Sequence, residues 1–239
     1  AGSINTSAIQ HGSGVSGTES WANLQFTDSF SNTPALLTHI QTQNNELNNT
    51  YSEAPKPWMT SISEDITKAG AKVALDLSQG STAGGTVTTN EKIAYLAMES
   101  GSKGSFQDSN NNTIKYEAQL TGHQVIGWDD GGSTVNFINS YNSAPKVVAS
   151  KSSRVDDDGG WFRYSAVNSS GITLRIDEDE TVDSERNHNP ERASLLAFSQ
   201  GFNLNGLALA QEPANLSVPT TSYDFGNVRI GTDAIATVT

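Results

Sequence analysis

Apolar and polar side chains alternate in short runs along most of this chain, the period-two pattern of half-buried β-strands. Trp21-Ala22-Asn23-Leu24-Gln25-Phe26 is one such run. A turn at Ser31-Asn32-Thr33-Pro34 leads into a second at 35–40, and a long Asn/Gln/Glu-rich loop at 41–57 leads into Trp58-Met59-Thr60-Ser61-Ile62. Val73, Leu75 and Leu77 share one face of the next strand, residues 80–90 read as a loop, and 93–98 close the set. Residues 1–20, rich in Gly, Ser and Thr, read as an irregular lead-in or an edge strand.

The same order then recurs, which marks an internal repeat. Asn32-Thr33-Pro34-Ala35-Leu36-Leu37 matches Ser143-Ala144-Pro145-Lys146-Val147-Val148, and Trp58-Met59 matches Trp161-Phe162. The run 69–77 matches 169–176 with one residue of slippage, and Asn90-Glu91-Lys92-Ile93 matches Pro190-Glu191-Arg192-Ala193. Trp128 and Phe137 are expected where Trp21 and Phe26 sit in the first copy. The pattern predicts an all-β protein of two tandem antiparallel β-sandwich units, about six strands each. One unit spans 1–102, the second 103–209, and 210–239 form a linker and the start of a further strand pattern.

The most distinctive stretch is a predicted hairpin, 172–198, whose two apolar strands flank a loop crowded with carboxylates. Composition narrows what such a loop can meet. With a formal net charge of −12 and a pI near 4.6, the chain repels nucleic acid and suits a neutral ligand, a cation, or plain solubility. There is no cysteine, which excludes disulfides, thiolate metal sites and a Cys nucleophile. No apolar run reaches the length of about 18 residues that a spanning helix needs, so membrane insertion is not expected. Abundant Gly, Ser, Thr and Asn suit strands and turns, and the whole fits a secreted or surface protein.

Several stretches carry a family resemblance. Trp21 to Phe30 with Asn32-Thr33-Pro34, the strand 171–176, and the acidic piece Asp177-Glu178-Asp179, Asp183-Ser184-Glu185-Arg186-Asn187-His188 and Glu191 resemble a domain of secreted proteins of marine and environmental bacteria. That domain is akin to the H-type lectin domain and to part of the pilus-biogenesis protein MshQ. The likeness implies a six-stranded sandwich that binds sugars through loops and often assembles as a homo-oligomer. Its sugar-contacting residues do not carry over, because the loops here differ in length and content. In the tail, Tyr223-Asp224-Phe225-Gly226-Asn227-Val228-Arg229-Ile230-Gly231 resembles the opening of the immunoglobulin-like repeats of the ASPM, SPD-2 and hydin group, which implies a longer multidomain parent.

Candidate chemistry divides into two sets. Asp177, Glu178, Asp179, Asp183 and Glu185, with Asp156 and Asp158 in a second acidic loop, are the oxygen-rich kind of cluster that binds Ca²⁺. The competing reading is a solvated loop neutralised by Arg175, Arg186 and Arg192, and Asp156 to Gly160 equally reads as a turn. Sugar rings stack on aromatics, so Trp58, Trp161 and Tyr164, with Arg163, Arg186 and His188, are the candidate ligand-binding residues. Repeated Trp at strand positions equally reads as core. No Gly-x-Ser-x-Gly elbow, His-Glu-x-x-His or phosphate loop is present, and no catalytic residue is assigned.

These observations point to a non-catalytic module that binds a polysaccharide through loops, with Ca²⁺ as a bridging ion. A calcium-stiffened adhesin or structural spacer is the alternative, and a glycoside hydrolase using two of the loop acids ranks third.

Overall fold

A computed structural model describes residues 1–12, 15, 17–46, 57–79, 87–180 and 184–204. Asp183, Tyr51, most of the loop 80–90 and the tail with its immunoglobulin-like likeness therefore lie outside the described residues. Strands dominate, with no α-helix among the described residues. The first half holds β1 (Gly2–Thr6), β2 (Ile9–Gln10), β3 (Ala22–Gln25), β4 (Pro34–Ile40), β5 (Met59–Glu64), β6 (Gly70–Leu77) and β7 (Glu91–Glu99). The second holds β8 (Lys103–Gln107), β9 (Thr113–Leu120), β10 (Ser133–Asn136), β11 (Lys146–Lys151), β12 (Gly160–Val167), β13 (Gly171–Glu178) and β14 (Ala193–Phe198).

The halves share one topology. In the first, β1-β7-β4 form one sheet and β3-β6-β5 the other, with short β2 adding parallel to β6. In the second, β9-β14-β11 and β10-β13-β12 repeat those orders, with β8 added outside β9. The other pairings between these strands are antiparallel, and an isolated parallel bridge joins Gly127 to Ile176 of β13. The all-β sandwich architecture expected from the alternation is thus present, but 172–198 is not the expected hairpin: β13 and β14 do not pair and lie in different sheets, so the acidic loop crosses from one sheet to the other.

Register sharpens the internal alignment. Pro34 at the start of β4 corresponds to Pro145 just before β11, and Glu91 to Glu191, as the sequence suggests. Gln25 faces Gly70 while Asn136 faces Gly171, so Gly70 matches Gly171 and Leu77 matches Glu178. Met59 lies opposite Leu77 and Gly160 opposite Glu178. Thr60, not Trp58, is therefore the counterpart of Trp161. A slip of two residues leaves every side chain on its face, which is why alternation could not detect it. Trp128 is also displaced from its expected place. It sits in a turn four residues before the position equivalent to Trp21, although Phe137 does match Phe26: each follows its strand and donates its N–H to the corresponding loop carbonyl.

Strands β4 and β14 are buried on both faces, the signature of middle layers. Ala193, Leu195 and Ala197 of β14 enter the core of the second sandwich with Val125, Val135 and Ile176. Leu36 enters that of the first with Leu24 and Val73. The opposite faces, Ala35 and Leu37 of β4 and Leu196 of β14, pack on each other with Ala118, Met98 and Phe198. Both halves so form one compact unit, Ala1–Leu204. The open edge of β4 is not left bare. Leu36 N–H donates to the Ser194 hydroxyl at 2.8 Å and Thr38 N–H to the Ser150 hydroxyl at 3.2 Å.

Gly159 marks how closely the halves meet. A Cβ there would stand 2.3 Å from the Leu77 carbonyl oxygen, so only hydrogen fits against the β6 backbone. Gly159→Ala is expected to cost about 1–3 kcal/mol, the range for overpacking. Urea denaturation of the variant measures it; an unchanged midpoint would refute the close approach.

Candidate functional site

Strands β5 and β12 are edge strands, each paired on one side only, and they come from different halves. Between them runs a groove. One part, about 370 Å³, is lined by Trp58, Trp161, Glu46, Pro57, Asp76 and Ser78. The adjoining part, about 250 Å³, is lined by Thr38, His39, Ser61, Ser150, Lys151 and Phe162. The two share Met59, Thr60, Gly160 and Trp161. Trp58 and Trp161 are both half-buried, and neither belongs to a buried core. Hydroxyls and indole faces therefore line a single trough.

Beneath it lies a charge cluster that composition alone does not reveal. Asp76 of β6 is fully buried; Lys151 Nζ of the other half stands 2.9 Å from one carboxylate oxygen, and Arg154 Nε donates to the other at 3.0 Å. Both cations are themselves almost wholly buried. Arg154 also donates to the Asp157 carbonyl at 2.6 Å, fixing the turn that leads into Trp161. The available sequence signal is an aspartate inside the otherwise apolar run Val73-Ala74-Leu75-Asp76-Leu77, a strand buried on both faces.

The acidic loop forms a second centre at the end of the second sandwich. His188 is buried, with Nδ1 against Glu178 and Nε2 3.3 Å from Glu191. Glu191 is fully buried and accepts from the Ser153 hydroxyl and from the N–H groups of Val155, at 2.7 Å, and Asp156, at 3.3 Å. Its counterpart Glu91 is equally buried and takes the Thr42 hydroxyl and the Asn45 N–H at 2.8 Å. The carboxylate knot is thus common to both repeats. Glu178 with His188 is peculiar to the second, because the first has Leu77 at that place.

Trp128 lies between the Arg175 and Arg186 guanidinium groups, 5.0 and 4.9 Å from its ring centroid. Its turn is stitched to the loop: Arg186 N–H donates to Asp129 at 2.9 Å and His188 N–H to Asp130 at 3.1 Å. Arg186 further pairs with Asp177 at 3.4 Å, and Arg163 reaches the same carboxylate at 3.4 Å while lying 5.8 Å from the Trp161 ring. Tyr164 points outward, 65% exposed.

The two acidic loops converge, as their neighbouring strands suggest. Oxygens of Asp158, Glu178 and Glu185 lie within 4.8 Å of one another. The other proposed metal ligands are held elsewhere. Asp177 is taken by arginines, Asp156 accepts the Asn189 N–H at 2.7 Å, and Asp179 is buried with a partner of its own. Asp129, Asp130 and Asp76 escape the sequence reading because their partners lie tens of residues away.

These pairings set a pH dependence. Burial works against the imidazolium of His188, but hydrogen bonds to Glu178 and Glu191 outweigh it, and the pKa stands above the ordinary 6.5. Burial also raises Glu178, with His188 offsetting only part. Burial opposes the charge on Asp156 and Glu91 too; the Asn189 N–H beside the first and the Thr42 hydroxyl beside the second overcome it and lower both. The share from His188 is full below pH 6.5 and lost as pH climbs through its raised native value. Raised Glu178 loses stability in the same direction, from 4.5 upward; lowered Asp156 and Glu91 lose theirs as pH falls below the carboxylate range. The melting temperature is expected to peak on the mildly acidic side of neutrality, and His188→Gln to flatten the alkaline decline. Thermal melts from about pH 4 to 9 measure it, and an identical alkaline slope in the variant would refute the assignment.

The fold and groove define a class: an all-β tandem sandwich whose repeats enclose an aromatic trough. Comparison adds one relative. The chain is 22% identical over 201 residues, 84% of its length, to Halomucin of Haloquadratum walsbyi, and the match spans 2% of that protein. No family model matches the chain. No solved structure matches it either.

Proposed function

We propose that this chain is a non-catalytic carbohydrate-binding module of a secreted or surface-attached multidomain protein. The observation that carries the reading is the meeting of Trp58 and Trp161 in one hydroxyl-lined groove, since sugars combine apolar C–H faces with hydroxyl rims. A hydrolase needs two carboxyl groups facing across the scissile bond. Among the described residues the groove offers Glu46 and Asp76, and Asp76 is consumed by Lys151 and Arg154. The similarity to Halomucin, a mucin by name, supports an extracellular setting.

A second reading has its own observation. Asp158, Glu178 and Glu185 would supply carboxylate oxygens to Ca²⁺, which takes six to eight oxygen ligands, and the ion would stiffen the loop rather than hold a sugar. A polysaccharide-gel screen with Ca²⁺ and with EDTA separates the two. Retardation that survives EDTA supports the groove. Absence of any retardation, with EDTA lowering the melting temperature, would sink the carbohydrate reading and leave the spacer.

A further inference from the structure

We infer that the groove takes an uncharged polysaccharide chain laid across the junction of the two repeats, an inference that rests on the carbohydrate reading. The span follows from the walls. Trp58 precedes β5 of the first half and Trp161 belongs to β12 of the second, and the two compartments join through Thr60 and Gly160. A ligand touching both indoles contacts both repeats.

The charge class follows from the disposition of the cations. A uronate or sulfate buried in the trough loses water and needs a positive partner in return. Lys151, the one Lys or Arg among the described lining residues, has its ammonium on Asp76, and Arg154 below it is held by the same carboxylate and by the Asp157 carbonyl. Both side chains are at most 5% exposed. Arg163, next to Trp161 in β12 but outside the groove lining, leans on Asp177 at 3.4 Å. Among the described lining residues the open charge is Glu46, in a chain of formal charge −12. Among those residues an anionic glycan therefore meets repulsion and no free Lys or Arg. The Thr60 hydroxyl, the Thr38, Ser61 and Ser150 hydroxyls that bond within the wall, and the two indoles suit a neutral one.

Affinity electrophoresis of the full chain through gels containing laminarin, galactomannan, alginate or polygalacturonate tests this, at pH 8, where the two uronate polymers are fully ionised. The expected result is retardation by laminarin or galactomannan, with alginate and polygalacturonate at least about tenfold weaker, the equivalent of losing about 1.4 kcal/mol. Trp58→Ala and Trp161→Ala are each expected to weaken retardation by about tenfold, the scale of one lost ring stack. Thr60→Arg fills the trough from an edge strand, and is expected to abolish retardation at an unchanged melting temperature. Preference for alginate or polygalacturonate would overturn the charge class and leave the carbohydrate reading standing. Sensitivity to only one of the tryptophans, or retardation untouched by Thr60→Arg, would overturn the span. No retardation in any gel would overturn the carbohydrate reading and this inference with it.

Discussion

Glu191→Ala is expected to lower stability by about 3–5 kcal/mol, the usual cost of removing one partner from a buried charged cluster. For a body of this size that is a fall of about 6–20 °C in melting temperature. The reason is what stays behind: the buried Ser153 hydroxyl and His188 ring and the part-buried N–H groups of Val155 and Asp156 all lose their acceptor. Glu191→Gln keeps the shape and one carbonyl oxygen, so its loss is expected to be smaller. Calorimetry on both variants decides. A melting temperature for Glu191→Ala within about 2 °C of the parent would show that the knot is not a stabilising element.

Asp76→Ala is the second large effect, and it acts between the halves rather than within one. Two cations, Lys151 and Arg154, would remain buried without the carboxylate that neutralises them. Loss of about 3–5 kcal/mol is again expected. Replacing the whole trio with apolar residues, as in Asp76→Leu with Lys151→Met and Arg154→Leu, should be milder than the single change, because a buried ion cluster is dear to half-remove and cheap to replace. Urea titrations of the single and triple variants give the comparison. A triple variant less stable than the single would show that the charges contribute net attraction.

Much of this architecture was legible from alternation and turns. Pro34 and Pro145 set two strand starts, and Glu91-Lys92 with Glu191-Arg192 set two others, because those positions carry turn chemistry or a buried role in both copies. The alignment of Trp58 with Trp161 failed for a geometric reason: a two-residue slip preserves which side chains face inward. Trp128 is not the counterpart of Trp21 because Gly131 and Gly132, at φ 95° and 76°, turn the chain between it and β10. At the site, the aromatic candidates Trp58 and Trp161 were found and do share a groove, whereas the ion trio beneath it was not. A lone Asp in an apolar run says that a partner exists, not where it lies. The acidic loop looked uniform in sequence, yet its carboxylates divide among arginines, backbone N–H groups and one imidazole according to which element each faces.

The burial of the Asp76 trio has a bearing on ionic strength. At about 1 M salt the Debye length is about 3 Å, and exposed pairs lose their attraction. Lys72 with Asp65, 42% and 60% exposed, is such a pair. The contacts of Asp76 with Lys151 and Arg154 lie where mobile ions do not enter, so they are screened far less. Molar salt meanwhile damps the mutual repulsion of a chain carrying −12, while the Asp76 contacts that join the two halves are weakened far less than exposed pairs.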